Sequence, residues 1–533
     1  MGKSGRTGLK TESAAAAPRS NLTAWERRSV LTASVLLGVL YLWLAWVTSG
    51  QSDLWILTTI DGAQLYTIDD AYRYYLARTA WYDPDLYHWN YVLPVALIAD
   101  GILSVISGGD LFLMRALHVP GAVATLWFTW QAGRNLGIAS RWMLPSVLLL
   151  ALMPLYAFVF LSFYGEAWMT LCLMAAVWSL TAGRHFLAGL LFALLPLIRP
   201  EGIYFVVAVG FWWLLKREWR LLLILGAPGF MYGIFLLVRL EDVADYTAWR
   251  LALMAILHQG DNPALYQTTG FLSAFNPFWT LPAFAGMAVA GSRKILPIYV
   301  GGLIFFALLI SLVIARQALH EARYYTCLLP LFAIAGAAFW AACAQKLKGW
   351  ERRIYLLFLT LTVVITLEHF LQLDPLKYSA GNRRWPVSGI PSGTKYFPAL
   401  SEAANGRRQD IAIAVASLVE NDDRIDRLLI QNTEIFYHLK PDIDVPVSYV
   451  PTSEYVAASR ANGLFYAMHS HADHYTFYRL RRPVFSDQKL ALYVGSLSGM
   501  ALTPVFRAGV FSVYLVAYEE EEILSGNKDG TPR

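Results

Sequence analysis

From residue 30 to residue 371 the chain alternates long apolar runs with short polar punctuation, and then its character changes. The first run, Val30–Thr48, follows Arg27 and Arg28. Later runs occupy 112–131, 143–161, 168–182, 186–198, 202–215, 221–239, 271–290, 295–314, 324–343 and 353–371. Apolar stretches of about 20 residues match the bilayer core when helical. Only a helix or a closed barrel satisfies every backbone polar group there. The pattern predicts an all-α polytopic membrane protein with about eleven transmembrane helices.

One more run, 91–110 (YVLPVALIADGILSVISGGD), is interrupted by Pro94, Asp100 and Gly101. Charge decides how to read it. If it does not cross, most basic loop clusters fall on the side of Arg27 and Arg28. These clusters are Arg134 with Arg141, Arg184, Lys216 with Arg217 and Arg220, Arg293 with Lys294, and Lys346 through Arg353. That side is cytoplasmic by the positive-inside rule. If the run crosses, the later clusters move outside. The run is therefore expected to be a helix lying partly in the outer interface, with the C-terminus outside.

After residue 371 a Pro-, Gly- and Ser-rich linker precedes a region of mixed periodicity. DIAIAVASLVEN has helical spacing, RLLIQN and VPVSYV read as strands, and VFRAGVFSVYLVAYEE reads as two more. The expected organisation is a cytoplasmic tail (1–29), a transmembrane domain (30–371) and a small extracytoplasmic α/β domain (372–533).

Composition agrees with a membrane chain. Hydrophobic residues make up 56% and charged residues only 15%, where soluble domains average about 25% charged. The net charge of +5 sits largely in the basic start and short loops, a pattern of orientation and not of nucleic-acid binding. Cys172, Cys327 and Cys343 all lie inside apolar runs, so they give no disulfide framework and no CxxC metal site. No cleavage site follows the first run, which reads as an uncleaved signal anchor. The only Asn-X-Ser/Thr sequon, at Asn21, lies in the expected cytoplasmic tail, which leans towards a bacterial envelope.

Ionisable groups are costly at membrane depth, so where they cluster is informative. In this topology they gather at the outer ends of the spans. Asp69 and Asp70 follow the first span, in YTIDDAYRYYLARTAWYDPDLYHWNY. Glu166 lies in LSFYGEAWM, Arg199 and Glu201 in LPLIRPEGIYF, and His320, Glu321, Arg323 and Tyr324 in ARQALHEARYYTCLLP. Arginine suits a lipid phosphate because its planar fork stays charged and donates several hydrogen bonds. A carboxylate such as Asp70 near apolar surface suits a general base. Each residue also has a plainer role. Asp83 and Asp85 read as solvated loop charges. Arg199 and Glu201 could simply pair across a tight turn, and Arg323 could anchor at the interface with Tyr324 and Tyr325. Adjacent Asp69 and Asp70 raise each other's pKa, which is harder to explain without a cation or a task. HSHADH (469–474) matches a metal-ligand pattern, but no histidine follows it, and it reads as a polar loop or helix start.

Three segments, in order, resemble the GT-C glycosyltransferase superfamily. IDDAYRYYLAR is similar to its acidic first-loop motif. LIRPEG and EARYYTCLLPLFAIAG are similar to phrases of its protein-mannosyltransferase-like family 39 branch. The resemblance spans roughly residues 30–370. It implies inverting transfer of a hexosyl or pentosyl group from a polyprenyl-phosphate-linked donor to a glycan, lipid or protein acceptor at the outer face. It assigns the general base to Asp69 or Asp70, a second acid to Glu166, and the neighbourhood of the donor phosphate to Arg323 and Tyr324. Because some members use a metal, Asp69, Asp70 and Glu166 could hold a divalent cation. HWNYVLP stands where the family often has an HPP turn, which leaves the acceptor class open. The rival reading is a membrane transporter, which favours inverted repeats and sites near the midplane. A further rival is a non-catalytic scaffold.

Overall fold

The computed structural model describes residues 24–47, 55–58, 64–66, 73–74, 76–78, 93–239, 277–289, 295–314, 322–346, 349–350, parts of 352–364, 394–396, 417, 425–430, 447–449, 464–470, 500–508 and 511–518. Helix α1 (Ala24–Val47) turns Leu37, Tyr41, Leu44 and Ala45 inward and leaves Leu31, Val35, Leu36, Val39 and Trp43 exposed. Both faces are apolar. That is the signature of a helix with protein on one side and lipid on the other. The polar tip of Tyr41 is satisfied by donating to the Ala151 carbonyl at 2.7 Å.

Helix α2 (Pro94–Ser107) fills the interrupted run. Proline occupies its first turn, and Gly108 and Gly109 close it with φ of 62° and 75°, a conformation glycine adopts without cost. Its 14 residues rise only about 21 Å, short of a bilayer core. Helix α3 (Leu111–Asn135) follows, capped by the Asp110 side chain, which accepts from the Leu113 amide at 2.8 Å.

The run at 143–161, expected as one span, is two helices. They are α4 (Ser140–Ala151) and α5 (Pro154–Leu161), bent by 63°. Met153 is extended (φ −74°, ψ 123°) because it precedes Pro154, and the helix stops there. Next come α6 (Gly165–Thr181), α7 (His185–Ile198), α8 (Gly202–Leu215) and α9 (Trp219–Arg239). Then follow α10 (Pro277–Met287), α11 (Leu296–Ile314), a 3-10 segment (Ala322–Leu328) and α12 (Leu329–Lys346). Among the described residues, four helical stretches are long and apolar enough to cross a membrane: 24–46, 111–135, 219–238 and 323–346. The bent α4–α5 pair would make a fifth.

Helix α12 is the core, packed against α10, α4 and α3 through small residues such as Ala333, Ala335 and Ala337. A Cβ on Gly286 of α10 would strike the Ala335 carbonyl oxygen, so only glycine permits this approach. Buried hydroxyls bond back to carbonyls one turn earlier, as Thr129 does to Thr125 and Thr170 to Glu166. Such bonds satisfy polar groups where no water competes.

Two sheets complete the description. Strands β1 (Trp55–Thr58), β2 (Gln64–Tyr66) and β3 (Thr394–Tyr396) form an antiparallel sheet in the order β2-β1-β3, with β3 beside α5. Trp55 pairs with Tyr396 and Ile56 with Lys395. The sequence pattern did not foresee these strands. The second sheet contains β4 (Ile425–Ile430), β5 (Val447–Tyr449), β6 (Leu464–Ser470), β7 (Met500–Ala508) and β8 (Phe511–Tyr518), in the order β5-β4-β6-β8-β7. β4 pairs in parallel with β5 and β6, whereas β6–β8 and β7–β8 are antiparallel. Pro504 lies on the edge strand β7 at a register shift, where a missing donor is tolerated. His469 and Ser470 continue β6 and do not open a loop; the rest of HSHADH lies outside the described residues. Of the predicted helix at 410–421, only Ser417 is described, and it is helical.

Candidate functional site

The turn between α7 and α8 is built by Arg199-Pro200-Glu201-Gly202. Pro200 forces Arg199 into an extended conformation (φ −150°, ψ 143°), which ends α7. The Arg199 amide still reaches the Leu195 carbonyl at 2.9 Å. A Cβ on Gly202 would collide with the Leu195 carbonyl, so glycine lets α8 start against the last turn of α7. The result sets Arg199 and Glu201 face to face. Arg199 Nε donates to Glu201 Oε2 at 3.0 Å and Nη2 donates to Oε1 at 2.7 Å. Pairing across the turn is therefore real.

It is not the whole story. Arg199 Nη1 also lies 2.7 Å from Oε1 of Glu166, an ion pair made outside ideal hydrogen-bond angles. Glu166 sits in the first turn of α6 and is 2% exposed. Arg323, in the first turn of the 3-10 segment and 4% exposed, brings its Nε to 3.6 Å from the same oxygen. Arg73, also buried, completes the group: its Nη1 lies 3.5 Å from where a Cβ on Gly165 would stand. Three guanidinium groups from three distant segments thus surround one carboxylate. Burial alone would depress the Arg199 pKa, but Glu166 and then Glu201 raise it by more, so it stays charged. Counting Glu201, the described cluster holds three positive and two negative side chains.

Aromatic rings fix the guanidinium planes. The Arg323 Cζ lies 4.1 Å from the ring centre of the fully buried Tyr164, and the Arg73 Cζ lies 5.4 Å from the same ring. Tyr324 receives Arg199 at 5.2 Å and Arg323 at 5.4 Å. Tyr325 points elsewhere, into Phe305 and Phe306 of α11. Burial of Arg323 and Tyr325 rules out the interfacial-anchor role for that segment.

A second buried polar group adjoins this one. Asp100 of α2 accepts from Trp168 Nε1 of α6 at 2.6 Å, and His118 Nε2 of α3 lies 3.4 Å from the same Asp100 oxygen. His118 stands edge-on to Phe163, which also packs against Tyr74, the neighbour of Arg73. Asp100 therefore ties α2 to α3 and α6, beside the arginine cluster.

Of the residues singled out from sequence, Glu166, Arg199, Glu201, Arg323 and Tyr324 come together. Asp69, Asp70, His320 and Glu321 lie outside the described residues. Arg73 and Tyr164 were missed, although Arg73 stands three and four residues after Asp70 and Asp69 in the first-loop motif. The suggested divalent cation does not fit Glu166, whose carboxylate is ringed by three guanidinium groups that would repel a metal ion. Among the described residues no group of three or more His, Cys, Asp and Glu side chains is arranged to hold a metal.

No protein-family profile and no curated protein sequence matches the chain. Solved structures do. The apo crystal structure of ArnT from Cupriavidus metallidurans aligns over 91% of this chain and 98% of its own, with a TM-score of 0.53 at 13% identity. The structure of ArnT from the same organism bound to undecaprenyl phosphate aligns over 90% and 97%, with a TM-score of 0.54 at 13% identity. ArnT is a membrane glycosyltransferase of the GT-C superfamily. This chain therefore shares the fold of ArnT.

Proposed function

We propose that this chain is an inverting glycosyltransferase that moves a hexosyl or pentosyl group from a polyprenyl-phosphate-linked donor to an acceptor at the outer face of a bacterial inner membrane. The observation that carries the reading is the gathering of Arg73, Arg199 and Arg323 around Glu166, with Arg73 three and four residues after Asp70 and Asp69 in the sequence. The acceptor hydroxyl gives its proton to Asp69 or Asp70, and its oxygen attacks the anomeric carbon. The bond from that carbon to the phosphate oxygen breaks, and its electrons leave with the polyprenyl phosphate. Charge builds on the leaving phosphate, and fixed guanidinium groups stabilise it best where water is excluded.

In this reading Arg199 and Arg323, with Arg73 beside them, bind the donor phosphate, and Glu166, 2.7 Å from Arg199 and 3.6 Å from Arg323, keeps the like charges together until the phosphate arrives. The ArnT complex with undecaprenyl phosphate supports a polyprenyl carrier.

Strand pairing supports the topology. Residues 55–57 pair with residues 394–396, which favours both segments on one side and an even number of crossings between them. Eleven spans with α2 in the interface give ten crossings there, whereas counting α2 as a span gives an odd number. The same reading keeps residues 1–29 cytoplasmic and residues 372–533 outside.

Replacing Asp69 and Asp70 together by Asn tests the proposal. Loss of a general base lowers transfer by roughly 100- to 10,000-fold, read as a sugar missing from envelope glycans by comparative mass spectrometry, with membrane insertion intact. Full transfer by the double variant overturns the mechanism. Uptake that depends on the chain, with no glycan change, would point to a transporter.

A further inference from the structure

At the far end of α3 from His118, helices α1, α3 and α4 leave a shallow apolar crevice, partly open to the surroundings. Val30, Leu37, Trp127, Trp130, Leu144 and Val147 line it. Each of the three helices also carries an arginine one turn beyond a lining residue. Arg27 precedes Val30 by three positions, Arg134 follows Trp130 by four, and Arg141 precedes Leu144 by three. One turn is about 5 Å along the axis, so the three guanidinium groups rim one end of the crevice.

Contacts hold that rim in place. Arg134 Nη1 lies 3.6 Å from Glu26 Oε2, which joins the start of α1 to the end of α3. The Arg134 Cζ lies 5.4 Å from the Trp130 ring centre, and the Arg141 Cζ lies 5.8 Å from that of Trp142. Arg27, Arg28 and Arg141 are exposed. Four arginines against the single acid Glu26 leave an excess of three positive charges at this mouth among the described residues. The crevice itself has no charged lining.

An apolar slot in the bilayer with a cationic rim selects a molecule with a hydrocarbon chain at one end and an anion at the other. We propose that this crevice binds one anionic phospholipid, its acyl chain along Val30 and Trp127 and its phosphate among Arg27, Arg134 and Arg141. Basic pockets between helix ends capture anionic headgroups in this way, whereas a zwitterionic headgroup gains little from the same rim. The site stands apart from the arginine–Glu166 cluster: Trp130 is twelve residues from His118 along α3, about 18 Å. In the topology proposed above it faces the cytoplasmic leaflet.

Native mass spectrometry of the full chain in detergent, offered equal amounts of phosphatidylglycerol and phosphatidylcholine with identical acyl chains, tests the site. One phosphatidylglycerol retained per chain, with a preference of about tenfold, is expected from the excess charge. In the R27Q/R134Q/R141Q variant the preference falls to near unity. Ala33→Trp, which fills the crevice while keeping the rim, removes the retained lipid. Equal retention of both lipids by the unaltered chain overturns the proposal. So does a preference that persists in the arginine variant, or a lipid that remains bound to the Ala33→Trp chain. Thermal unfolding of each variant shows whether a loss of lipid reflects the site or the fold.

Discussion

The two ends of α6 use the same chemistry for opposite purposes. At its N-terminal end Arg73, Arg199 and Arg323 lie against Tyr164 and Tyr324, are buried or nearly so, and converge on Glu166. At its C-terminal end cations lie singly on separate indoles. Arg184 is 4.9 Å from the Trp178 ring centre, and Lys216, in the neighbouring turn, is 3.9 Å from that of Trp212. Arg184 and Lys216 are exposed. A cation on an aromatic face is common at a membrane surface, where the ring sits at headgroup depth and the charge reaches water. Convergence without solvent is different. Like charges brought together in a low dielectric repel strongly, and the arrangement persists only because acids compensate it. A stacked arginine therefore says little about function, and several sharing one buried carboxylate say much more.

Removing that carboxylate is the strongest way to break the comparison. Glu166→Gln keeps the shape and leaves Glu201 as the one acid of the cluster among the described residues. Breaking a buried ion pair from one side costs about 3–5 kcal/mol, so a large drop in the thermal midpoint in detergent and loss of transfer are expected. Glu166→Asp, which keeps the charge, should recover part of both. A Gln variant that unfolds like the parent would mean that the cluster is held together by packing, and that Glu166 is no keystone.

Gly202→Ala acts on the same end through the backbone. The added methyl meets the Leu195 carbonyl, so α8 must shift away from α7 and separate Arg199 from Glu166. Forcing a methyl into a packed contact costs about 1–3 kcal/mol. The loss of transfer should exceed what stability alone explains, because the fork of Arg199 is re-aimed. Activity measured below the unfolding range of both chains separates the two contributions.

Much of this architecture was legible beforehand. Hydropathy placed α6 to α9 within three residues of their observed ends, since a helix buried in lipid needs an unbroken apolar run. The rim charges Glu166, Arg199 and Arg323 stood out because each is costly beside such a run. Other features were hidden for physical reasons. Averaging over a window erased the bend at Met153–Pro154, although the proline was in plain view. Asp100 registered only as an interruption, because its partners His118 and Trp168 come from α3 and α6. Strands β1, β2 and β3 are three or four residues long, too short for a period, and β3 joins from beyond the last span. Tyr164 looked like one more membrane tyrosine until two arginines were seen against it.

The smallest expected effect comes from the other end of the comparison, and it is the sharpest control. Lys216→Gln removes a cation that sits on Trp212 at the C-cap of α8. An exposed cation–π contact is worth about 0.5–1 kcal/mol, and the glutamine stem still covers part of the indole. The thermal midpoint should move slightly and transfer should not change. Arg217 stands beside this lysine and Arg220 in the first turn of α9, so orientation in the membrane should also hold. If Lys216→Gln proved as damaging as Glu166→Gln, stacking itself would be the feature that matters at both ends. The convergence of Arg73, Arg199 and Arg323 would then lose its standing as the mark of a site.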